Sequence, residues 1–143
     1  MLPTDSDLSF LLPPEQVDRT KEGFLFYALS YHNQQQIMTA CLTKNQALSD
    51  YLEDWLWSYQ PYSFLAHRQA GSINNLPQIL IHHELSSLKE CSVIINLTHK
   101  PFASFNSHTH HVELVNDCEK ATYRKIYQAY KKQGLHPNTR TLH

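Results

Sequence analysis

The chain has 143 residues, the size of one domain, and we expect residues 1–143 to form a single core. Its three glycines, at positions 23, 71 and 134, are too far apart to form a G-x-G-x-x-G dinucleotide loop or a G-x-x-x-x-G-K-[ST] phosphate loop. The net charge of -1 excludes a protein that coats nucleic acid through a general positive field.

The first half of the chain predicts strand, helix, strand, helix. The apolar run Ser9–Leu12 indicates a strand, and apolar residues at three- and four-residue steps indicate a helix from Glu15 to about Tyr31. The run Gln36–Leu42 predicts a buried central strand. The T-x-x-Q sequence at Thr43–Gln46 predicts a capping box for a second helix. The predicted buried face of that helix is Ala47, Leu48, Tyr51, Leu52, Trp55 and Leu56.

The second half predicts four strands and a final helix. The strand candidates are Ser63–His67, Gln78–His82, Cys91–Leu97 and Val112–Val115, with a long loop from Gly71 to Pro77. The helix is predicted over 117–133, opened by Asn116 in an N-x-x-E pattern and closed by Gly134 in the left-handed conformation. This alternation predicts an α/β single-domain three-layer sandwich, mainly parallel, with helices on both faces of the sheet and Rossmann-like topology without a phosphate-binding loop.

Histidine is abundant, with ten residues, and suggests a metal site. His108–His111 together with His82–His83 is the one cluster that could supply three nitrogen ligands. A metal-dependent hydrolase using this cluster is therefore one alternative function. The simpler interpretation is that these are solvated loop histidines, since the spacing specifies neither a third ligand nor an outer acceptor, and we assign no metal ligand.

The three cysteines lack C-x-x-C spacing, which argues against a disulfide framework and favours a reducing cytoplasm. Cys41 and Cys91 lie in apolar runs, where a thiol is an inert core side chain. Cys118 is predicted in the first turn of the last helix, where the helix dipole favours a thiolate, so a thiol enzyme is a second alternative. No base is implied beside it, and we assign no catalytic residue and no cofactor. No segment is apolar enough for a membrane span and no export leader is present, so we expect no membrane partner.

The last helix carries the most informative pattern. Lys120, Arg124, Tyr127 and Lys131 follow at i, i+4, i+7 and i+11 and share one stripe. The predicted buried stripe is Thr122, Ile126, Ala129 and Tyr130. An ordinary solvated helix face explains the cations, as does a receptor for an acidic peptide with an apolar end. A third interpretation is direct nucleic-acid binding by this helix.

A second feature is the aromatic-rich segment from Trp55 to Phe64. Trp55 belongs to the predicted core stripe, whereas Trp57 points elsewhere and should stay exposed unless a partner covers it. The simpler interpretation is local packing of the following loop against the helix.

Two segments together resemble the chi subunit of bacterial DNA polymerase III. One contains Leu56-Trp57 and Ser63-Phe64-Leu65-Ala66-His67, and the other has the form R-x-x-Y-x-x-Y at Arg124, followed by Gly134 and the pair Asn138-Thr139. In that family the helix ends in Leu-Trp and the following strand reads S-F-x-P-H, so Ala66 here replaces the usual proline. The order and spacing match across most of the chain, while the first 40 residues match in element order alone.

The resemblance implies a non-catalytic subunit, and the nucleotide-binder likeness would be architectural only. Its implied partners are the psi subunit, the clamp loader through psi, and the acidic C-terminal tail of single-stranded DNA-binding protein; nucleic acid would be contacted only indirectly. The matching tail-pocket positions are Lys120, Arg124, Tyr127 and Thr139, and Lys131 is added from the helical stripe alone. Trp57 and Phe64 match the surface that receives psi, which a helicase could also use.

Overall fold

In the computed structural model, the described residues form seven strands and three α-helices. The structure describes residues 7–15, 20–35, 37–59, 67–69, 79–106 and 108–142, with the backbone alone for 33, 34, 57–59 and 67–69. The strands are β1 (Leu8–Leu12), β2 (Thr39–Leu42), β3 (His67–Gln69), β4 (Ile79–His82), β5 (Val93–Asn96), β6 (His110–Leu114) and β7 (Asn138–Thr141). The helices are α1 (Lys21–Gln34), α2 (Gln46–Tyr59) and α3 (Lys120–Lys132), and a short 3-10 helix covers Leu85–Leu88.

All seven strands belong to one sheet, in the order β3-β4-β2-β5-β6-β1-β7, and every pairing among them is parallel. The side chains of α1 and α2 pack on one face, around Phe24 and Leu52. The side chains of α3 pack on the other face, with Tyr130 as the largest buried side chain. The three-layer α/β prediction is therefore confirmed. The prediction that residues 1–143 form one domain stays a prediction.

The apolar stripe of α1 is confirmed within the described residues, because Phe24, Leu25, Ala28 and Leu29 are all buried. The helix begins at Lys21 rather than at Glu15, after Thr20 accepts hydrogen bonds from the next turn through both its hydroxyl and its carbonyl oxygen. Residues 16–19, at the predicted start of the helix, lie outside the described residues.

The predicted capping box at the start of α2 is wrong. Asn45 caps this helix, since its Oδ1 accepts a hydrogen bond from the Leu48 N–H at 2.9 Å. The Thr43 hydroxyl lies too deep to cap the helix and bonds instead to the buried Ser49 hydroxyl. The Gln46 amide donates forward along the helix, to Asp50 at 2.9 Å.

The predicted buried face of α2 is only partly correct. Leu52 and Leu56 are buried and Trp55 is half-buried against the same core. Leu48 and Tyr51, however, are 41% and 67% exposed. They lie in the first half of the helix, which follows the carboxyl end of β2.

The last helix begins three residues later than predicted, at Lys120. Asn116 opens a separate turn, in which its Oδ1 accepts from the Cys118 N–H and its amide donates to Glu119. The buried stripe of α3 contains Tyr123, Ile126 and Tyr130, so Tyr123 takes the place predicted for Thr122.

Gly134 confirms the predicted end of α3, with φ of +83°. The N–H of Leu135 bonds to the carbonyl of Tyr130, and the N–H of Gly134 bonds to that of Lys131. These two bonds form a Schellman motif, and Leu135 and Tyr130 both belong to the core on this side of the sheet.

The edge strand β7 was not predicted, because its sequence Asn138-Thr139-Arg140-Thr141 is polar and all four side chains are exposed. It forms by pairing with β1, with Thr139 opposite Phe10. The predicted strand at Ser63–His67 overlaps β3 at His67 alone; the rest of that strand and the predicted loop at 71–77 fall outside the described residues. In the part of the chain that the structure describes, no helix is long and apolar enough to cross a membrane.

A buried carboxyl group connects α3 to the sheet. Glu113 of β6 is 1% exposed, and its Oε2 accepts hydrogen bonds from the Tyr130 hydroxyl at 2.7 Å and the Asn96 amide at 2.8 Å. The Tyr130 hydroxyl also accepts the Phe102 N–H at 2.7 Å. Burial raises the pKa of Glu113 to about 8, so the carboxyl group is mostly protonated at neutral pH.

Candidate functional site

A cavity of about 240 Å³ opens between α3 and the edge of the sheet. Lys120, Arg124 and Tyr127 enter it from α3, and Thr139 enters it from β7. These residues were the four candidates for a tail pocket, and the fold brings all four to one cavity. The helical spacing places the first three on one stripe, and the β1–β7 pairing brings Thr139 alongside them.

The floor of this cavity, which we call the α3 cavity, is apolar. The Phe10 ring of β1 meets the Tyr127 ring edge-on, with centroids 5.3 Å apart and planes at 75°. The remaining apolar walls are Leu12, Val115 and Tyr123. These four side chains were not among the predicted site residues. The apolar run of β1 signalled a buried strand, but nothing local in the sequence indicates that Phe10 lies opposite Thr139.

The rim of the α3 cavity is cationic. Lys120 is exposed and lies 3.9 Å from the Asp117 carboxylate, a weak and solvated contact. Arg124 is exposed and forms no ion pair with any residue that the structure describes. Residues 117–143 carry six basic and two acidic side chains, so the local field favours an anion.

Lys131 does not line the α3 cavity, although the helical stripe included it. Its Nζ lies 6.0 Å from the centroid of the Tyr127 ring and 3.3 Å from Nδ1 of His136. It therefore lies near the Tyr127 ring but outside the cavity.

The arrangement suits a ligand with a carboxylate next to an apolar group. The Arg124 guanidinium is a planar donor that can bind a carboxylate through two hydrogen bonds, and it has no internal partner to give up among the described residues. The Phe10 and Tyr127 rings offer an apolar surface directly beside it. Nothing in this set activates a nucleophile or moves a proton.

The aromatic candidates cannot be placed in the same detail. The backbone of Trp57 lies in the last turn of α2, but its side chain is outside the described part of the structure. Phe64 lies wholly outside the described residues. Their role at a partner surface stays a prediction.

The two histidine groups do not converge on a metal site. They lie at the end of β4 and at the start of β6, and these strands are separated by β2 and β5, so the two strands are about 14 Å apart across the sheet. Across the described residues, no three His, Cys, Asp or Glu side chains are grouped to hold a metal ion. The ring of His82 stacks on that of His83, with centroids 4.6 Å apart, and accepts the Glu84 N–H at 2.9 Å.

His111 is a core side chain and not the solvated loop residue that was expected. Its Nε2 accepts the Asn106 N–H at 3.2 Å, which leaves Nδ1 to donate to the Asp7 carbonyl at 3.3 Å. Burial lowers the pKa of His111, in agreement with a neutral ring whose two nitrogens are both occupied.

The cysteines give little support to a thiol enzyme. Cys41 and Cys91 are buried, and burial raises the pKa of each thiol to about 12. Cys118 is exposed, but it lies in the turn before α3 rather than in the first helical turn, so the predicted helix-dipole argument does not apply to it.

The family model described as "DNA polymerase III chi subunit, HolC" matches residues 13–138, which is most of the chain. No curated protein sequence matches the chain. The matched segment begins just after β1 and contains α1 to α3 in full and Asn138 at the start of β7.

Proposed function

The chain belongs to the family of the DNA polymerase III chi subunit and is thus an accessory subunit of that polymerase; from this we propose that its α3 cavity binds the acidic C-terminal tail of single-stranded DNA-binding protein. The tail would place its terminal carboxylate on Arg124 and its last apolar side chain against Phe10 and Tyr127. Acidic residues further from the end would meet Lys120.

The observation that carries this proposal is the meeting of Lys120, Arg124, Tyr127 and Thr139 at one cavity. An ordinary solvated helix face accounts for the cations of α3, but it gives no reason for an apolar floor between them and the neighbouring sheet edge. A phosphate-binding groove would need cations along its length, whereas this cavity is apolar within and cationic at its rim.

The proposal is tested with a synthetic acidic peptide that ends in an apolar residue with a free carboxylate. Lys120→Ala should weaken peptide binding by about threefold and reduce its salt dependence, because an exposed ammonium is largely screened. Tyr127→Ala should weaken binding through lost apolar contact and leave the salt dependence unchanged. Isothermal titration calorimetry at two salt concentrations measures both effects.

Lys125→Ala is the matched control, since Lys125 is an exposed cation on the same helix that does not line the α3 cavity. Peptide affinities unchanged in both the Lys120 and Tyr127 variants would remove the proposed function. Tight, steeply salt-dependent binding of bare single-stranded DNA would favour direct nucleic-acid binding by α3 instead.

For the segment at the end of α2 and just after it, we propose that Trp57 and Phe64 bind the psi subunit and that psi links the chain to the clamp loader. The family match and the positions of these aromatic residues in the sequence support this proposal. A helicase could compete for the same surface.

Trp57→Ala or Phe64→Ala should weaken the complex with psi by about 2 kcal/mol or more, the range of an interface hot spot, and leave the thermal midpoint within a few degrees. Co-purification with psi and differential scanning calorimetry measure the two properties. If either variant unfolds while its affinity per folded molecule is unchanged, that residue belongs to the core.

In this proposal the whole chain acts as one non-catalytic domain, without cofactor or metal, and meets nucleic acid only through its partners. Because bacterial DNA replication takes place in the cytoplasm, the proposal also places the chain there.

A further inference from the structure

A second cavity, of about 330 Å³, lies on the other side of the sheet from α3, at the carboxyl ends of β2 and β5. Thr43 and Lys44 follow β2, and Thr98 and His99 follow the neighbouring β5. After β2 the chain turns to α2 on one face, and after β5 it turns to Phe102 on the other face. Such divergence opens a crevice, and ligands of open α/β sheets commonly bind in it.

The walls of this cavity, which we call the β2–β5 cavity, are mostly apolar: Leu25, Leu48, Tyr51, Leu52, Trp55 and Leu97 line it. Among the described residues, the exposed large hydrophobic side chains are Leu48 and Tyr51, and both belong to this lining. The surface that α2 leaves uncovered is therefore concentrated at one concave site. Its volume is at the lower end of the range for small-molecule sites.

The charges at the mouth of this cavity favour an anion. Residues 1–60 contain three basic and eight acidic side chains, and two of the three basic ones, Lys21 and Lys44, line the cavity. Glu22 is the one carboxylate of the lining, and His99 is already held 2.9 Å from the Glu119 carboxylate. Residues 1–60 are strongly acidic as a whole, but lysine exceeds carboxylate at the mouth of this cavity. The local positive charge therefore favours binding of an anion there.

We propose that the β2–β5 cavity binds a small carboxylate with an aromatic body. The body would lie between Tyr51, Trp55 and the leucine side chains, and the carboxylate would stay at the mouth near Lys44 and Lys21. Lys44 immediately precedes the cap of α2, where the positive end of the helix dipole adds to its charge. This site is independent of the tail-binding proposal, so the failure of either leaves the other standing.

The test uses indole-3-acetate and its uncharged amide, indole-3-acetamide, as probes of nearly equal shape. Titration of the full chain, followed by amide chemical shifts in two-dimensional NMR, should give saturable shifts in residues 43–55 and 97–99. The carboxylate should bind about threefold more tightly than the amide, the size of one exposed charge contact.

Lys44→Gln should abolish the preference for the carboxylate without changing the affinity for indole-3-acetamide. Tyr51→Ala should lower the affinities for both probes equally. Lys132→Gln, which removes an exposed cation of α3 far from this lining, should leave both affinities unchanged. The proposal is overturned if neither probe gives saturable shifts in these residues. It is equally overturned if both probes bind the wild-type chain equally, or if the shifts fall on α3 and disappear in Arg124→Ala.

Discussion

Glu113→Gln is expected to raise the free energy of unfolding by about 3 kcal/mol at pH 7 and by less than about 1 kcal/mol at pH 5. In the folded chain burial raises the pKa of Glu113 to about 8 from an ordinary value of 4.5. The unfolded chain therefore loses its proton first as the pH rises. The stability that the protonated group allows is fully present below about pH 4.5 and is lost progressively up to about pH 8, at about 1.4 kcal/mol per pH unit.

Glutamine has the shape of the protonated acid and can still accept the Tyr130 hydroxyl and Asn96 amide, but it cannot ionise. His32 and His111 have pKa values lowered by burial, so both contribute stability above about pH 6.5 that is lost as the pH falls. Their contribution is common to wild type and variant and cancels in the difference.

Urea unfolding of both chains from pH 5 to pH 8 measures this difference, with the exposed Glu90→Gln as the matched control. Stability curves for wild type and Glu113→Gln that run parallel across this range would contradict the assignment of a protonated Glu113.

Arg124→Ala is expected to weaken binding of the acidic peptide by about tenfold to a hundredfold. This range corresponds to loss of one charge-assisted, bidentate contact, about 1.5 to 3 kcal/mol. Arg124 is exposed and has no ion pair among the described residues, so its removal leaves no charge stranded and should not lower the thermal midpoint. Lys125→Ala removes a neighbouring cation without touching the α3 cavity and should change the affinity by less than about twofold.

The parts of the fold that could be predicted from sequence are those where burial is continuous along the chain. Thr39–Leu42 is buried at every position and its apolar run identifies it as a central strand. The strand β7 could not be predicted this way, because its exposed polar residues carry no burial signal and its existence depends on pairing with β1, more than a hundred residues earlier in the sequence.

The errors at α2 have a similar cause. Thr43 and Asn45 are both good caps by residue type, and the choice between them depends on whether the Thr43 hydroxyl faces the core, where Ser49 bonds it. Helical periodicity placed Leu48 and Tyr51 on the buried face, but it carries no information on where the sheet beneath that face ends.

The residues of the α3 cavity also divide into those that could be predicted from sequence and those that could not. The spacing of Lys120, Arg124 and Tyr127 follows from helix geometry and could be predicted. Phe10, which supplies the apolar floor, comes to the site through the order of strands in the sheet, a property that local sequence does not encode.

The central claim is that Arg124 meets the terminal carboxylate of the tail of single-stranded DNA-binding protein. It is tested most directly by a double-mutant cycle in which calorimetry measures four combinations: wild type and Arg124→Ala, each with the acidic peptide and with its C-terminal amide. Amidation should weaken binding to wild type by at least about tenfold and binding to Arg124→Ala by much less. Strictly additive effects would mean that Arg124 does not contact the carboxylate and would contradict the account.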